Sequence, residues 1–420
     1  MASIFDLDEF KELEQPFRER QRRYRENWDA YKARRPGRGL PKFNTPMGGM
    51  IGARIENAIQ PLFTPFGRAV RIDVALIPGG WRLKNPELHD AQAALFQASK
   101  WATAGDLFVK YGVAMGEAGI RIVDDRVKKN VYMMPVRPDT YIIKRASMYD
   151  TTPALALFVY SLDNETELAE VLEPTRVRTF INGQLTGVAG RPAQYPNKLG
   201  FVPMTVAMHD DGEGRGEPTF DDAMAALAQV NQQASYMAGI IKRHAEPQWA
   251  AFGAEPGDLE KSGDTVWFFP EGSDIKAVLA AVDFNGLLEF IREIKADMKE
   301  SLPELAFHKL VGVERVAAAT IELQMAEPVF KIRLLRKAYD EALAAAMRMA
   351  GVAAREMGLT DIAVLADEPG PELDADRPVI TIDALTRLQI AAAEQSVQMN
   401  QISFQQQQAM MNMARGEEGA

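Results

Sequence analysis

An α+β fold is predicted for this 420-residue chain by three observations. Between residues 105 and 208, short apolar runs follow one another with turn residues between them, the pattern of antiparallel sheet. Residues 219–302 hold two long stretches of helical apolar spacing separated by a Gly- and Pro-rich excursion. Beyond them, residues 314–326, 329–357 and 383–413 read as three more helices.

In chain order, residues 10–35 predict a basic helix. Arg18, Arg20, Arg22, Arg23, Arg25, Lys32, Arg34 and Arg35 surround an aromatic stripe of Phe17, Tyr24, Trp28 and Tyr31. Such a helix suits a nucleic-acid or membrane surface; the expectation here is a helix docked through its aromatics, with its charges solvated. Residues 36–52 read as a Gly- and Pro-containing linker, residues 70–75 as a strand, and residues 86–103 as a helix with Leu88, Ala91, Leu95 and Ala98 on one side. Strands follow at 107–115, 120–124, 131–135, 141–144, 154–161, 167–172, 176–181 and 201–208, with Asn182-Gly183 as a hairpin turn.

Thr219, with Asp222 three residues on, is a relative of the capping box. Phe220, Met224, Leu227, Val230, Ala234, Met237 and Ile241 then form one apolar stripe of a helix running to about residue 243, roughly 36 Å at 1.5 Å per residue. Residues 245–275 are interrupted by Pro247, Gly253, Pro256, Gly257, Gly263, Pro270 and Gly272, leaving aromatic-rich strands at 248–252 and 265–269. Asp283 caps a second helix whose apolar face is Phe284, Leu287, Leu288, Ile291, Ile294 and Met298, and Pro303 ends it. A lone hairpin cannot bury stripes of this length completely, so neighbouring copies are expected to cover them, with Leu227 and Ile291 at the oligomer interface. Trp249, Trp267 and Phe268, gathered between turns at the tip, are expected to form a second part of it.

The net charge of −10 argues against a tight grip on nucleic acid, which needs Lys and Arg against phosphate. There is no cysteine, and the four histidines (His89, His209, His244, His308) are scattered, so neither disulfides nor a metal site is expected. No apolar run reaches the roughly 18 residues of a spanning helix, so neither export nor membrane insertion is expected. Gly212-Glu-Gly214-Arg-Gly216 has the setting of a dinucleotide fingerprint, but its third glycine falls on Glu217, and His209, Asp210, Asp211 and Glu213 crowd the place of a pyrophosphate. The phosphate-loop, zinc-protease and serine-hydrolase signatures are absent. No enzyme activity, catalytic residue, cofactor or metal ligand is expected.

The order of these pieces (basic amphipathic helix, strand-rich region, the loop Asn197-Lys-Leu-Gly200-Phe-Val-Pro203, an acidic Gly loop, then helix, tip and helix) resembles the portal proteins of tailed bacteriophages. Residues 199–252, the returning strand at 263–270, the helix end at 301–305, and residues 317–343 with Glu322, Arg333, Arg336 and Tyr339 carry the likeness, which is clearest over 131–347. The resemblance implies a portal-like α+β architecture. Its parts would be an N-terminal helix and linker (1–60), an antiparallel strand-rich wing (61–218), long stem helices (219–244 and 283–303) around a small β-containing clip (245–282), a channel loop and helix (304–328), and wing and crown helices ending in a disordered tail (329–420).

It further implies a ring of about twelve copies at one capsid vertex, the channel for double-stranded DNA in packaging and ejection. Partners implied are the terminase large subunit, the major capsid and scaffold proteins and a head-tail adaptor, with no membrane. The location implied is the virion, after assembly in the host cytoplasm. In portals the connection after the second stem helix points into the lumen, which makes His308, Lys309 and Arg315 the DNA-channel contacts. About twelve chains of charge −10 carry roughly −120, a like-charged wall along which DNA slides. The alternatives are another head-tail adaptor, a scaffold protein, or a monomeric α+β enzyme; a central hole in particle images separates the first reading from these.

Overall fold

The computed structural model describes residues 3–32, 65–126, 128–146, 152–163, 165–188, 190–209, 214–245, 248–252, 274–278, 284–310 and 325–379. Its fold is α+β with antiparallel sheets. The chain divides into two compact units, one of Met1–Leu40, Thr64–Asp222 and Ser301–Ala420, the other of Pro41–Phe63 and Ala223–Glu300.

In the first unit, helices α1 (Lys11–Tyr31), α2 (Phe66–Leu76), α3 (His89–Ala98) and α4 (Trp101–Met115) precede the sheets. The strands are β1 (Glu117–Asp125), β2 (Asn130–Val136), β3 (Tyr141–Arg145), β4 (Pro153–Ser161), β5 (Glu167–Leu172), β6 (Arg176–Ile181), β7 (Gln184–Leu185), β8 (Gln194–Pro196) and β9 (Met204–Met208). β1 is the centre of a three-stranded sheet, with Ile120 opposite Pro135 of β2 on one side and opposite Thr205 of β9 on the other. β3 to β7 form a meander, extended by β8 pairing with β6. Asn182 and Gly183 both take positive φ (49° and 73°), which a two-residue hairpin turn requires.

The meander is apolar on both faces because both are covered. Leu157, Val159, Ala169, Val171 and Phe180 pack against Ile4, Phe5, Phe10, Leu13 and Phe17 of the N-terminal segment. The alternate residues Ala156, Phe158, Leu172 and Val177 pack against Val136, Tyr141, Val202 and Met204. Arg121 of β1 donates two hydrogen bonds to Glu170 of β5, at 2.6 and 3.0 Å, tying the two sheets together.

Two expected strands are helices. Residues 70–75 belong to α2, where Phe66, Ala69, Val70, Asp73 and Leu76 are buried at helical spacing. Residues 107–115 belong to α4, with Phe108, Val109, Gly112 and Val113 buried. In both, the β-branched residues that suggest a strand lie on a helical face whose burial outweighs their weak strand preference. The single helix expected over 86–103 is a short 3-10 turn followed by α3 and α4, broken where Lys100 takes φ 50°.

After the second unit the chain returns through a 3-10 stretch, Pro303–Leu310, and the later described helices are α7 (Ala326–Glu356) and α8 (Thr360–Ala363). Pro328 sits in the first turn of α7, where a missing N–H leaves no helical bond unmade. α7 buries Tyr339, Ala342, Leu343, Ala346, Met347 and Ala350, and its close approach to α4 depends on Gly112: a Cβ there would lie 2.0 Å from the Tyr339 hydroxyl.

The second unit consists of α5 (Met224–Ala245), β10 (Gln248–Phe252), β11 (Asp274–Val278) and α6 (Phe284–Glu300) among the described residues. β10 and β11 are antiparallel, with Trp249 opposite Ala277. The returning strand is therefore Asp274–Val278; the strand expected at 265–269 lies outside the described residues, as do the linker at 36–52, the helix at 383–413 and nearly all of that at 314–326.

Candidate functional site: the helical hairpin and its neck

The hairpin's own core joins Val230 of α5 to Ile291 and Ile294 of α6, with Ala226 and Met237 packed alongside. Amphipathic spacing brings these together: each helix presents one apolar row, and the two rows meet. Leu227 and Ile291, expected at an interface between copies, are 1% and 7% exposed within the single chain. The structure thus buries both side chains inside the chain itself. The outward surface of α6 carries Leu288, Glu289, Phe290, Arg292, Glu293, Asp297, Lys299 and Glu300.

Trp249 lies in β10; Trp267 and Phe268 lie outside the described residues. His308 and Lys309 fall in the 3-10 stretch after Pro303, and Arg315 lies outside the described residues. In that stretch Glu304 and Phe307 are buried and Leu305 N–H donates to the Leu302 carbonyl at 3.0 Å. Part of this connection is therefore packed into the first unit.

Where the chain leaves the first unit and where it returns, one lysine holds both segments. Lys331 Nζ of α7 donates to the Thr219 carbonyl at 2.9 Å and to Glu304 Oε2 at 2.8 Å. Thr219 Oγ1, instead of capping the next helix, donates to Asp73 Oδ2 of α2 at 2.9 Å, and Phe220 stacks on Phe66 with ring centroids 4.3 Å apart. Asp73 and Glu304 are both fully buried, and Asp73 Oδ1 and Glu304 Oε1 have no hydrogen-bond partner among the described residues. Burial, then the Glu304 charge nearby, push the Asp73 carboxyl up to about 8 against the pull of Lys331 and Thr219. No sequence pattern announces this neck; the one available signal is an aspartate inside the apolar run of residues 69–77.

The glycine loop has a packing role. Gly116 (φ 96°) and Gly216 lie so close that a Cβ on either would meet the other's backbone at 2.3 to 2.5 Å. His209 N–H donates to the Gly116 carbonyl and Glu217 N–H to the His209 carbonyl, each at 2.9 Å. His209 Nδ1 lies 3.3 Å from the Glu217 carbonyl, its ring packs edge-on to Tyr339 at 5.5 Å, and burial pushes the imidazole down to about 4. Gly216 is thus required by backbone contact.

The basic N-terminal helix docks through its aromatic face. Glu117, at the start of β1, accepts hydrogen bonds from Tyr24 Oη and Tyr141 Oη, each at 2.6 Å, and from Arg20. Burial alone would raise the Glu117 carboxyl; the Arg20 charge and these three donors hold it below the usual carboxylate range. Asn27 adds a bond to the Met115 carbonyl at 3.0 Å, and Arg178 of β6 reaches back to Glu9 at 2.5 and 2.7 Å. Of the residues in the portal-like stretch, Arg336 is buried and donates to the carbonyls of Leu76, Ile77 and Arg377, Tyr339 is buried, Arg333 is exposed, and Glu322 lies outside the described residues.

Among the described residues no group of three His, Cys, Asp or Glu is placed to hold a metal ion, and no helix is long and apolar enough to cross a membrane. No protein-family model matches the chain, and no curated protein matches it. Solved structures similar to it include a chain of "Virion of native gene transfer agent (GTA) particle", at 14% identity and TM-score 0.44 over 80% of this chain and 85% of that one. A chain of "Neck of empty GTA particle computed with C6 symmetry" is 14% identical with TM-score 0.45 over 81% and 87%. A chain of "Neck of native GTA particle computed with C12 symmetry" is 13% identical with TM-score 0.43 over 80% and 85%.

Proposed function

We propose that this chain is a portal-type subunit: about twelve copies close into a ring at one vertex of a virion, through which double-stranded DNA passes in packaging and ejection. The observation that carries the reading is an amphipathic helix pair, α5 and α6, with a two-stranded β10–β11 ladder between them, inserted into an antiparallel α+β unit at residues whose departure and return are joined by Lys331. In this reading, which that order and the portal-like stretches of the sequence support, α5 and α6 would be the stem and β10–β11 the clip that meets the terminase large subunit and later a head-tail adaptor. The first unit would face major capsid and scaffold proteins. No part of this reading requires catalysis by the chain or a cofactor.

The full-length chain, purified at micromolar concentration and imaged in negative stain, is expected to give rings with a central hole. A strict monomer across that range would overturn the proposal. Within it, Lys309 and Arg315 are the cations assigned to the channel, giving weak contacts to phosphate that salt reduces. Their replacement by Glu is expected to leave rings intact while lowering DNA packaged or retained. Normal packaging by both variants would remove this loop from the channel.

A further inference from the structure

The first turns of α7 bury one face and leave the opposite one open. Val329, Ile332, Arg336, Tyr339 and Leu343 form the buried row. At about 100° per residue, Glu327, Phe330, Leu334, Lys337 and Glu341 fall in one stripe on the far side, and all five are exposed. Phe330 and Leu334, at 69% and 55% exposure, are the most accessible large apolar side chains on the described helices. Neither the Glu327 nor the Lys337 side chain has an ion-pair or hydrogen-bond partner among the described residues. The first four positions are also symmetric in the sequence. Glu327 and Lys337 lie five residues either side of Ile332, and Phe330 and Leu334 lie two residues either side of it.

We infer that this stripe docks antiparallel on the same stripe of a second copy of this chain, Phe330 against Leu334 and Glu327 against Lys337 on both sides of a two-fold axis at Ile332. The occupant follows from self-complementarity. A two-fold contact requires that where residue i meets j, j also meets i, and these four positions meet that condition in both charge and apolarity. Within one chain Glu327 and Lys337 are roughly 15 Å apart along the helix at 1.5 Å per residue, too far to pair with each other. An antiparallel copy brings each to its opposite charge, whereas a parallel one would set Glu on Glu and Lys on Lys. The apolar pair then forms the centre of the contact and the charges its rim. Arg333 lies at the edge of the stripe, and Glu341 one turn beyond the matched part; neither takes part in the matching. A contact this short belongs to the weak, transient class. It closes with two copies, so it pairs free chains or joins two larger assemblies, and it goes beyond the ring reading without resting on it.

The test is a charge reversal in the full-length chain, read by sedimentation equilibrium as a doubling of mass over whatever the parent forms, single chain or ring. Glu327→Lys and Lys337→Glu each set like charges against one another at both ends of the contact, and each is expected to weaken the doubling by at least roughly tenfold. The double variant restores opposite charges in the same places and is expected to return to within about threefold of the parent. Both positions are exposed, so helicity and thermal midpoint are expected to match the parent; Glu327 lies in the first turn, where the helix dipole favours a carboxylate, and E327Q serves if the lysine lowers the midpoint. The chain has no cysteine, so single-cysteine variants report the register. Under mild oxidant, Phe330→Cys and Leu334→Cys chains mixed in equal amounts are expected to form the mixed disulfide faster than either forms its own. Parent-like doubling in both single reversals, a double variant as weak as the singles, or a mixed disulfide no faster than the homotypic ones overturns the inference. So does a parent whose mass does not double up to roughly 100 μM. Each of these outcomes leaves the ring reading standing, since a central hole is sought in a separate measurement.

Discussion

Glu117 shows how a single buried charge fixes the place of a whole helix. With Arg20, Tyr24 and Tyr141 all donating to it, its substitution by Gln leaves the Arg20 guanidinium largely buried and unneutralised, and is expected to cost about 3–5 kcal/mol in urea unfolding. The sign of its pH dependence follows from its lowered pKa. The stability it contributes is present above the unfolded carboxylate value of about 4 and is lost as pH falls through the folded value, a loss that the Gln variant should not show. Asp73 runs the other way. Its folded pKa, about 8, lies above the unfolded one, so the native state binds the extra proton and stability declines as pH rises from about 4 to about 8. In Asp73→Asn that decline should vanish while the Thr219 hydroxyl keeps an acceptor; an unchanged slope between these pH values would place the proton elsewhere.

At the level of elements, packing decides where sequence preference is weak. α4 and α7 approach as closely as Gly112 allows, and Gly112→Ala drives a methyl into Tyr339, with an expected loss of about 1–3 kcal/mol. Tyr339→Phe in that background should recover part of it, because the nearest obstructing atom is the hydroxyl; full additivity in the double-mutant cycle would show that the two sites are not in contact. α1 and the segment before it cover one face of the meander, so removal of residues 1–35 uncovers Leu157, Val159, Val171 and Phe180. The expected outcome is loss of stability and solubility with nearly unchanged non-specific DNA affinity, measured across a salt series. A large drop in salt-dependent binding would instead make α1 a DNA-binding arm.

Across the whole molecule, the neck and the hairpin divide the work between them. Asp73, Thr219, Glu304 and Lys331 join the points at which the first unit releases and recovers the chain, whereas the hairpin has its own core of Val230, Ile291 and Ile294. Ile291→Ala is therefore expected to raise amide exchange in α5 and α6 while exchange in β1 to β9 stays as in the parent, with a local cost of about 2–5 kcal/mol. Uniformly faster exchange across both units would mean that the two unfold together.

Read alone, the sequence determined the α+β class, the strands of the meander, the Asn182-Gly183 turn and the two long helices of the hairpin. Each of these follows from a local signal: period-two alternation, a dipeptide that tolerates positive φ, or apolar residues at helical spacing over many turns. Residues 70–75 and 107–115 were illegible because a short β-branched run fits a strand or a buried helical face equally well, and only the neighbouring surface selects between them. The neck was invisible for a related reason: Asp73, Thr219, Glu304 and Lys331 are far apart in the chain, and no local preference encodes a hydrogen bond between them. The buried fate of Leu227 and Ile291 was likewise a tertiary decision, because an apolar row records that it must be covered but not by which surface, and here the covering is inside the chain.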